Sequence, residues 1–200
     1  MVLLSWVISY LIGSISFSYL VAKKVAGIDI RSHGSGNAGA TNTLRVLGKG
    51  PGVAVLILDA LKGLAAMGIA HLITGDPVAY AIAGLFAIAG HNWPIFFGFR
   101  GGKGIATTLG VVLGFSPLAF LIGAIIAVLV IAITRFVSLG SLVMVTVIPI
   151  VIYFLDKPIS FFWASLIITV FAYIRHYNNI RNLLAGNERK LGDKSQHKLG

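Results

Sequence analysis

Three polar stretches of this sequence carry residue types suited to holding anions. The first is "SHGSGNAGATNTLR" (32–45), which joins glycines, hydroxyls and paired asparagines to one arginine. Ser35, Gly36, Asn37 and Gly39 can turn successive backbone N–H groups one way, because glycine enters left-handed conformations without steric cost. Asn42 and Arg45 follow, and an arginine grips a phosphate through two parallel hydrogen bonds. A plain Gly/Ser linker seldom holds paired asparagines and a helix-spaced arginine, so the stretch reads as a phosphate seat. "GSGNAG" also fits G-x-G-x-x-G, but that fingerprint requires a strand before it and a βαβ unit around it. Here a long apolar run precedes it, and the dinucleotide reading fails.

The second stretch is "GHNWPIFFGFRGGKGIATTLG" (90–110). Gly102 and Gly104 flank Lys103 where an apolar helix opens, and free N–H groups at a helix start favour an anion. It is not a nucleotide-binding P-loop, since Gly104 stands where a Ser or Thr would hold magnesium. His91 and Asn92 are candidates for hydrogen bonds to a substrate. Trp93, Phe96, Phe97 and Phe99 suit a lipid–water interface. The third stretch is "IRHYNNIRNLLAGNERK" (174–190). His176 and Asn179 are three apart and share a helix face, and histidine is readily poised for proton transfer. A hydrogen bond from His176 to a helix-end carbonyl is an equal alternative. Beyond it, Lys194, His197 and Lys198 read as a membrane-facing tail.

The elements that must position these stretches are apolar. Of the 200 residues 57% are hydrophobic and only 11% charged, where a soluble domain carries about a quarter charged. The composition predicts an all-α, polytopic membrane protein. Having no cysteine, the chain has no disulfide, thiolate chemistry or Cys-ligated metal. No basic residue precedes the first apolar run, the reverse of a secretory signal, so that run is expected to stay as a helix. Apolar runs occupy about 2–22, 51–73, 77–89, 105–115, 117–133, 137–155 and 158–175, separated by turns such as "TGDP" and "LDKP". The runs 77–89 and 105–115 are short for a span. Charge parity decides the count. With seven spans, and Lys62 set aside inside a helix, fourteen Lys and Arg fall on one side and only Lys157 on the other. With six, residues 105–133 forming one long helix kinked at Pro117, the split is eight to seven. The expectation is one membrane domain, 1–200, of seven transmembrane helices with the N-terminus outside and the C-terminus in the cytoplasm. Its polar segments 23–50, 90–104 and 175–200 then share the cytoplasmic face.

Asp59 and Lys62 lie i, i+3, about 12 Å into the second run by helical rise. They read as a mutually neutralising pair under the site's floor, although intramembrane charge is often functional. "HLITGD" (71–76) spells a histidine-four-residues-aspartate acyltransferase signature. It falls at the outer end of that helix, away from the basic loops, and reads as a chance match.

In this order and with these helices between them, the three stretches resemble the acyl-phosphate-dependent glycerol-3-phosphate acyltransferases of bacterial phospholipid synthesis, over essentially the whole chain. The third departs from the family pattern, with Tyr177, Asn178 and Asn182 where more charge is usual. The resemblance implies a multi-pass enzyme of the bacterial inner membrane. It moves an acyl group from acyl phosphate to the 1-hydroxyl of glycerol 3-phosphate, giving lysophosphatidic acid and inorganic phosphate. Ser35, Arg45, Lys103, His176 and Asn179 are then the catalytic candidates. Gly36, Asn37, Asn42, His91, Asn92, Gly102, Gly104 and Glu188 are the substrate-binding ones. The expected partners are the two substrates and membrane lipid, with no nucleic acid, no cofactor and no metal, and the expected state is a monomer. The alternative is a small transporter of a phosphorylated solute, to which Asp59 and Lys62 would lend intramembrane charge.

Overall fold

Each apolar run forms a helix in the computed structural model, which describes residues 1–193 and contains no strand among them. The tail positions Lys194, His197 and Lys198 lie outside the described residues. Helices α1 (Val2–Gly13) and α2 (Phe17–Ala26) share the first run, and a short α3 (Ala40–Leu47) leads into α4 (Lys49–Thr74). Then come α5 (Pro77–Asn92), α6 (Ile105–Phe115), α7 (Pro117–Thr134), α8 (Val137–Phe154) and α9 (Ile159–Arg175). The last helix, α10 (Tyr177–Leu184), bends 63° away from α9. Five segments are long and apolar enough to cross a membrane, with α1 and α2 counted as one, and six if α9 and α10 form one span. The third run is longer than its apolar core implied, continuing through Pro77–Phe97 for 21 residues. The fourth stays short: α6 has 11 residues, about 16 Å of helix.

Local chemistry sets the ends. Pro117 starts α7 at its first position, where the missing N–H costs nothing, and the Ser116 hydroxyl accepts from the Ala119 amide at 3.3 Å. Residues 105–134 are therefore two helices and not one kinked helix. Glycine allows the packing, since membrane helices associate by close backbone approach. A Cβ on Gly13 would lie 2.1 Å from the Ala87 carbonyl oxygen, on Gly110 1.8 Å from that of Ala60, and on Gly140 2.8 Å from that of Ala127. These contacts tie α1 to α5, α4 to α6, and α7 to α8.

Side-chain contacts fix the helix directions. The Trp6 indole donates to the Ala79 carbonyl at 2.9 Å and the Tyr10 hydroxyl to that of Trp93 at 2.7 Å, so α1 and α5 run the same way. Gly63 abuts Thr107 and Gly114 abuts Met67, so α4 and α6 do too. Phe115 stacks on Phe161 at 4.7 Å while Arg175 meets Gly101 and Gly102, so α9 runs against α6. The core of Ile88, Val111, Val112, Phe115, Met144, Ile148 and Ile168 lies among α5, α6, α8 and α9.

One junction departs from the expected continuous first helix. The chain breaks between Gly13 and Phe17, and a break inside an apolar span leaves backbone groups that lipid cannot satisfy. The Lys62 ammonium, from α4, donates to the Ile15 carbonyl at 2.6 Å. The same ammonium pairs with Asp59 at 2.8 Å, and these side chains are 3% and 1% exposed. It also lies 3.0 Å from Nδ1 of His91. The Asp59–Lys62 pairing expected from the sequence is present, with the helix break and His91 as further partners.

Removing one partner of a buried ion pair strands the other charge and costs about 3–5 kcal/mol, whereas replacing both by apolar residues is often neutral. Asp59→Leu or Lys62→Met alone is therefore expected to lower the unfolding temperature in detergent sharply. The double variant is expected to recover the part of the loss due to the stranded charge, and to keep the part due to the Ile15 carbonyl left without its donor.

Candidate functional site

The first polar loop is folded around one side chain. Asn42, buried at the start of α3, accepts the Ser35 amide at 2.8 Å. Its own amide donates to the carbonyls of His33 at 3.0 Å and Ile30 at 3.2 Å. The Gly36 amide donates to the His33 carbonyl at 3.0 Å. This corrects the backbone anion seat expected at Ser35–Asn37, because the first two of those amides are already used inside the loop. Asn42 shapes the loop with both of its N–H donors, which leaves neither of them for a substrate phosphate. The loop offers the cavity the side chains of Ser35 and Asn37 and, from α3, Arg45. Arg31 pins the loop from outside, pairing with Asp29 at 2.7 Å and donating to the Phe97 carbonyl at 2.8 Å.

The turn that carries Lys103 is held from three sides. The Gly102 amide donates to the His91 carbonyl at 3.1 Å. A Cβ on Gly102 would lie 2.2 Å from Nε2 of His91 and 2.5 Å from the Ala38 carbonyl, so the turn rests directly on both. Arg175 forks onto the turn, donating to the Gly102 carbonyl at 2.7 and 3.1 Å and to that of Gly101 at 3.1 Å. Sequence reasoning missed Arg175, whose signal was its place beside His176 in the third stretch. Gly104 takes a left-handed φ of 84° and opens α6, where Gly104, Ile105 and Ala106 line the cavity. Asn92 lies fully buried beneath Gly104, whose Cβ would meet its oxygen at 2.8 Å. Asn92 is not among the lining residues; His91 is, with Nδ1 turned toward the Lys62–Asp59 pair.

The third stretch closes the site. Nδ1 of His176 lies 2.8 Å from the Ala172 carbonyl, which can only accept, so Nδ1 carries the proton and Nε2 keeps its lone pair. Lys103 donates to the Asn179 side-chain oxygen. Asn179 donates at 2.7 Å to Glu188, which also accepts from the Ser138 hydroxyl at 2.6 Å. Ser138 too was missed; it sits in the apolar run that begins α8, where nothing marked it. Burial lowers the Lys103 pKa to about 8; Glu188 opposes the shift, while Arg45 and Arg175 add to it. Burial also lowers that of Arg45, with Arg189 adding to the shift, and its Nε has no partner.

Ser35, Asn37, Asn42, Arg45, His91, Lys103, Gly104, His176, Asn179 and Glu188 thus line one cavity of about 340 Å³. Gly36, Gly102 and Asn92 support its walls from outside. The cavity continues into an apolar groove between α4, α6, α7 and α8, lined by Val53, Leu56, Leu109, Val128, Ile131 and Met144. A second, polar cavity of about 380 Å³ shares Ser35, Arg45, Asn179 and Glu188 with it and adds Asn182, Asn187 and Arg189. Among the described residues no three His, Asp or Glu side chains gather as a metal site. His71 and Asp76 stand apart from the cavity: His71 packs edge-on against Tyr80, and Asp76 caps α5 at the Val78 amide, 2.9 Å away.

Known proteins match this arrangement closely. The family described as "Glycerol-3-phosphate acyltransferase" matches residues 3–186. A glycerol-3-phosphate acyltransferase of Halalkalibacterium halodurans is 50% identical over 202 residues, covering 96% of this chain and 98% of its own. One from Shouchella clausii is 51% identical, covering 92% and 93%. The crystal structure of PlsY, an integral membrane glycerol 3-phosphate acyltransferase, in its glycerol 3-phosphate form superposes with a TM-score of 0.91 at 38% identity, covering 96% of both chains. The lysophosphatidic acid form gives 0.88 at 37%, covering 96% and 95%.

The Lys103 shift makes anion binding depend on pH in one direction. The free ammonium is charged below about 8 and neutral above it, and only the charged form attracts an anion. Sulfate does not titrate in this range. Its Kd, read from the sulfate dependence of the unfolding temperature, is expected to be flat below pH 8 and to rise toward tenfold per unit above it. Lys103→Met is expected to weaken binding and flatten the profile.

Proposed function

The chain belongs to the glycerol-3-phosphate acyltransferase family, and from that premise we propose that it transfers a fatty acyl group from acyl phosphate to the 1-hydroxyl of glycerol 3-phosphate. The products are lysophosphatidic acid and inorganic phosphate. The observation that carries this reading is the meeting of Arg45, Lys103, His176 and Asn179 in one cavity that runs into an apolar groove. Both substrates carry phosphate, and one carries a long alkyl chain. The cavity has cations for the first and lipid-like walls for the second.

In the proposed reaction Arg45 and Lys103 hold phosphate oxygens. Their charge makes the phosphate a better leaving group and stabilises the oxyanion forming on the acyl carbonyl. The glycerol oxygen attacks the carbonyl carbon directly, and the bond from that carbon to the phosphate oxygen breaks. The hydroxyl proton passes to Nε2 of His176 or to a phosphate oxygen. Holding both reactants in register supplies much of the acceleration. An acyl-enzyme on Ser35 is the weaker route, since among the described residues no base is paired with its hydroxyl.

We further propose that all seven helical runs traverse the bilayer, with the N-terminus outside and the three polar segments on the cytoplasmic face of a bacterial inner membrane. Charge parity supports this, and so do the helix directions: α4 runs with α6, and both run against α9. We propose a monomer, because the groups assigned to the substrates in this reading can all be supplied by one chain. The transporter alternative drew on the intramembrane charge of Asp59 and Lys62; they are committed to each other, to the Ile15 carbonyl and to His91.

The test is purified protein in liposomes with acyl phosphate. Phosphate release that requires glycerol 3-phosphate is expected; solute flux without chemistry would overturn the reading. Arg45→Ala and Lys103→Ala are each expected to lose about 100-fold or more in kcat/KM while still inserting in the membrane. Wild-type turnover in both would remove the phosphate clamp, and a trapped acyl–Ser35 adduct would remove direct attack.

A further inference from the structure

Arg135 ends α7 in a left-handed conformation, with φ at 64°. Helix ends of this kind favour glycine, because a Cβ there is strained. An arginine in that place calls for a reason in its side chain, and the structure supplies one. Its guanidinium donates to the Leu191 carbonyl at 2.8 and 3.2 Å. Its own carbonyl accepts the Leu191 amide at 2.6 Å. Nη2 lies over Gly192, where a Cβ would come within 3.3 Å. The turn it grips is closed by Asp193, which accepts the Lys190 amide at 2.8 Å, and the Lys190 ammonium lies 5.6 Å from the centre of the Phe136 ring.

What this clamp holds in place is the segment after α10. That segment carries Glu188 into the catalytic cavity, and Asn187 and Arg189 into the wall of the polar one. Glu188 in turn takes the Asn179 amide, and Asn179 takes the Lys103 ammonium. Arg135 is thus linked to Lys103 through Leu191, Glu188 and Asn179 while touching none of the cavity itself.

We propose that Arg135 is a positioning residue: it straps residues 187–191 across the polar mouth of the site and so sets the affinity for the water-soluble acceptor. The inference rests on the acyltransferase reading above. On that reading the acyl chain reaches the reaction centre through the apolar groove between α4, α6, α7 and α8, whose lining takes only Glu188 from the strap. On the same reading glycerol 3-phosphate enters through the polar cavity, whose lining takes Asn187, Glu188 and Arg189 from the strap. Loss of the clamp should therefore separate the two substrates.

Arg135→Gly makes the test clean, because glycine relaxes the left-handed turn and deletes the guanidinium's hold on the Leu191 carbonyl, leaving only the backbone bond from the Leu191 amide. Expected is a fivefold to tenfold rise in KM for glycerol 3-phosphate, with KM for acyl phosphate within twofold of wild type. Arg135→Lys, which keeps one donor, should recover part of the difference. A second readout does not depend on activity. The chain has no cysteine, so a single Leu191→Cys can be labelled with a maleimide, and labelling should be faster by a similar factor once Arg135 is glycine. Unchanged KM for glycerol 3-phosphate with unchanged labelling would overturn the proposal, as would equal rises in both KM values. If the wild-type protein shows no acyl transfer at all, the acyltransferase reading fails, and the labelling rate still decides whether Arg135 holds the strap.

Discussion

A buried lysine at a broken helix organises this molecule. Lys62 meets the Ile15 carbonyl, Asp59 and His91 within one small volume. Each contact answers a need created by the apolar surroundings. The break at 14–16 frees a backbone carbonyl that lipid cannot satisfy, and the ammonium takes it. The ammonium needs a counter-charge, and Asp59 stands one helical turn away on the same face. His91 fits beside the pair, and its other ring nitrogen bears on Gly102. The seating of Lys103 therefore begins in the middle of the bundle. The break, α4, the end of α5 and the Gly101–Gly102 turn share one polar knot, so none of them can shift alone.

Above that floor the site gathers Arg45, Lys103 and Arg175, with Glu188 as the nearby carboxylate. Like charges so close repel, and burial adds a desolvation cost. The structure offsets both with neutral acceptors. Arg175 spends its guanidinium on the carbonyls of Gly101 and Gly102, and Lys103 meets an amide oxygen rather than a carboxylate. A carboxylate directly on Lys103 would hold its charge but compete with an incoming phosphate. An amide orients the ammonium and leaves most of its charge to the substrate. Glu188 acts one step back, holding Asn179 and moderating the fall in the Lys103 pKa.

Much of this was legible in the sequence because membrane helices and anion sites both leave strong local marks. Apolar runs bounded by Gly and Pro become helices with little ambiguity, and glycines around one basic residue mark a turn on an anion. The readings that fell short concern how a residue spends its hydrogen bonds. Asn42 looked like a donor to a substrate, and both of its N–H groups close its own loop. The Ser35 and Gly36 amides looked free, and both have partners within a few residues. The same limit hid Arg175 and Ser138, whose importance comes from carbonyls and a carboxylate far away in sequence. The break in the first run falls in "GSIS" (13–16), and small residues of this kind also serve continuous membrane helices. Only the lysine across the bundle shows why the chain stops there.

The proposed chemistry gives this distribution of order a reason. Acyl phosphate is activated, so its carbonyl must be kept from water and offered to one hydroxyl. An enzyme gains by closing the site around the reacting atoms, which strengthens each interaction with the phosphate and excludes hydrolysis. The apolar groove provides that closure on the donor side through walls of Val53, Leu56, Leu109 and Met144. The acceptor is small and charged and must come through a polar mouth, where walls of the same kind cannot be used. There the chain crosses the opening with a short segment tied at both ends, to Asn179 and Ser138 through Glu188 and to Arg135 through Leu191. On the proposed orientation, packed helices wall the groove assigned to the lipid substrate and a fastened loop borders the polar cavity assigned to the soluble one, which matches the physical difference between the two substrates.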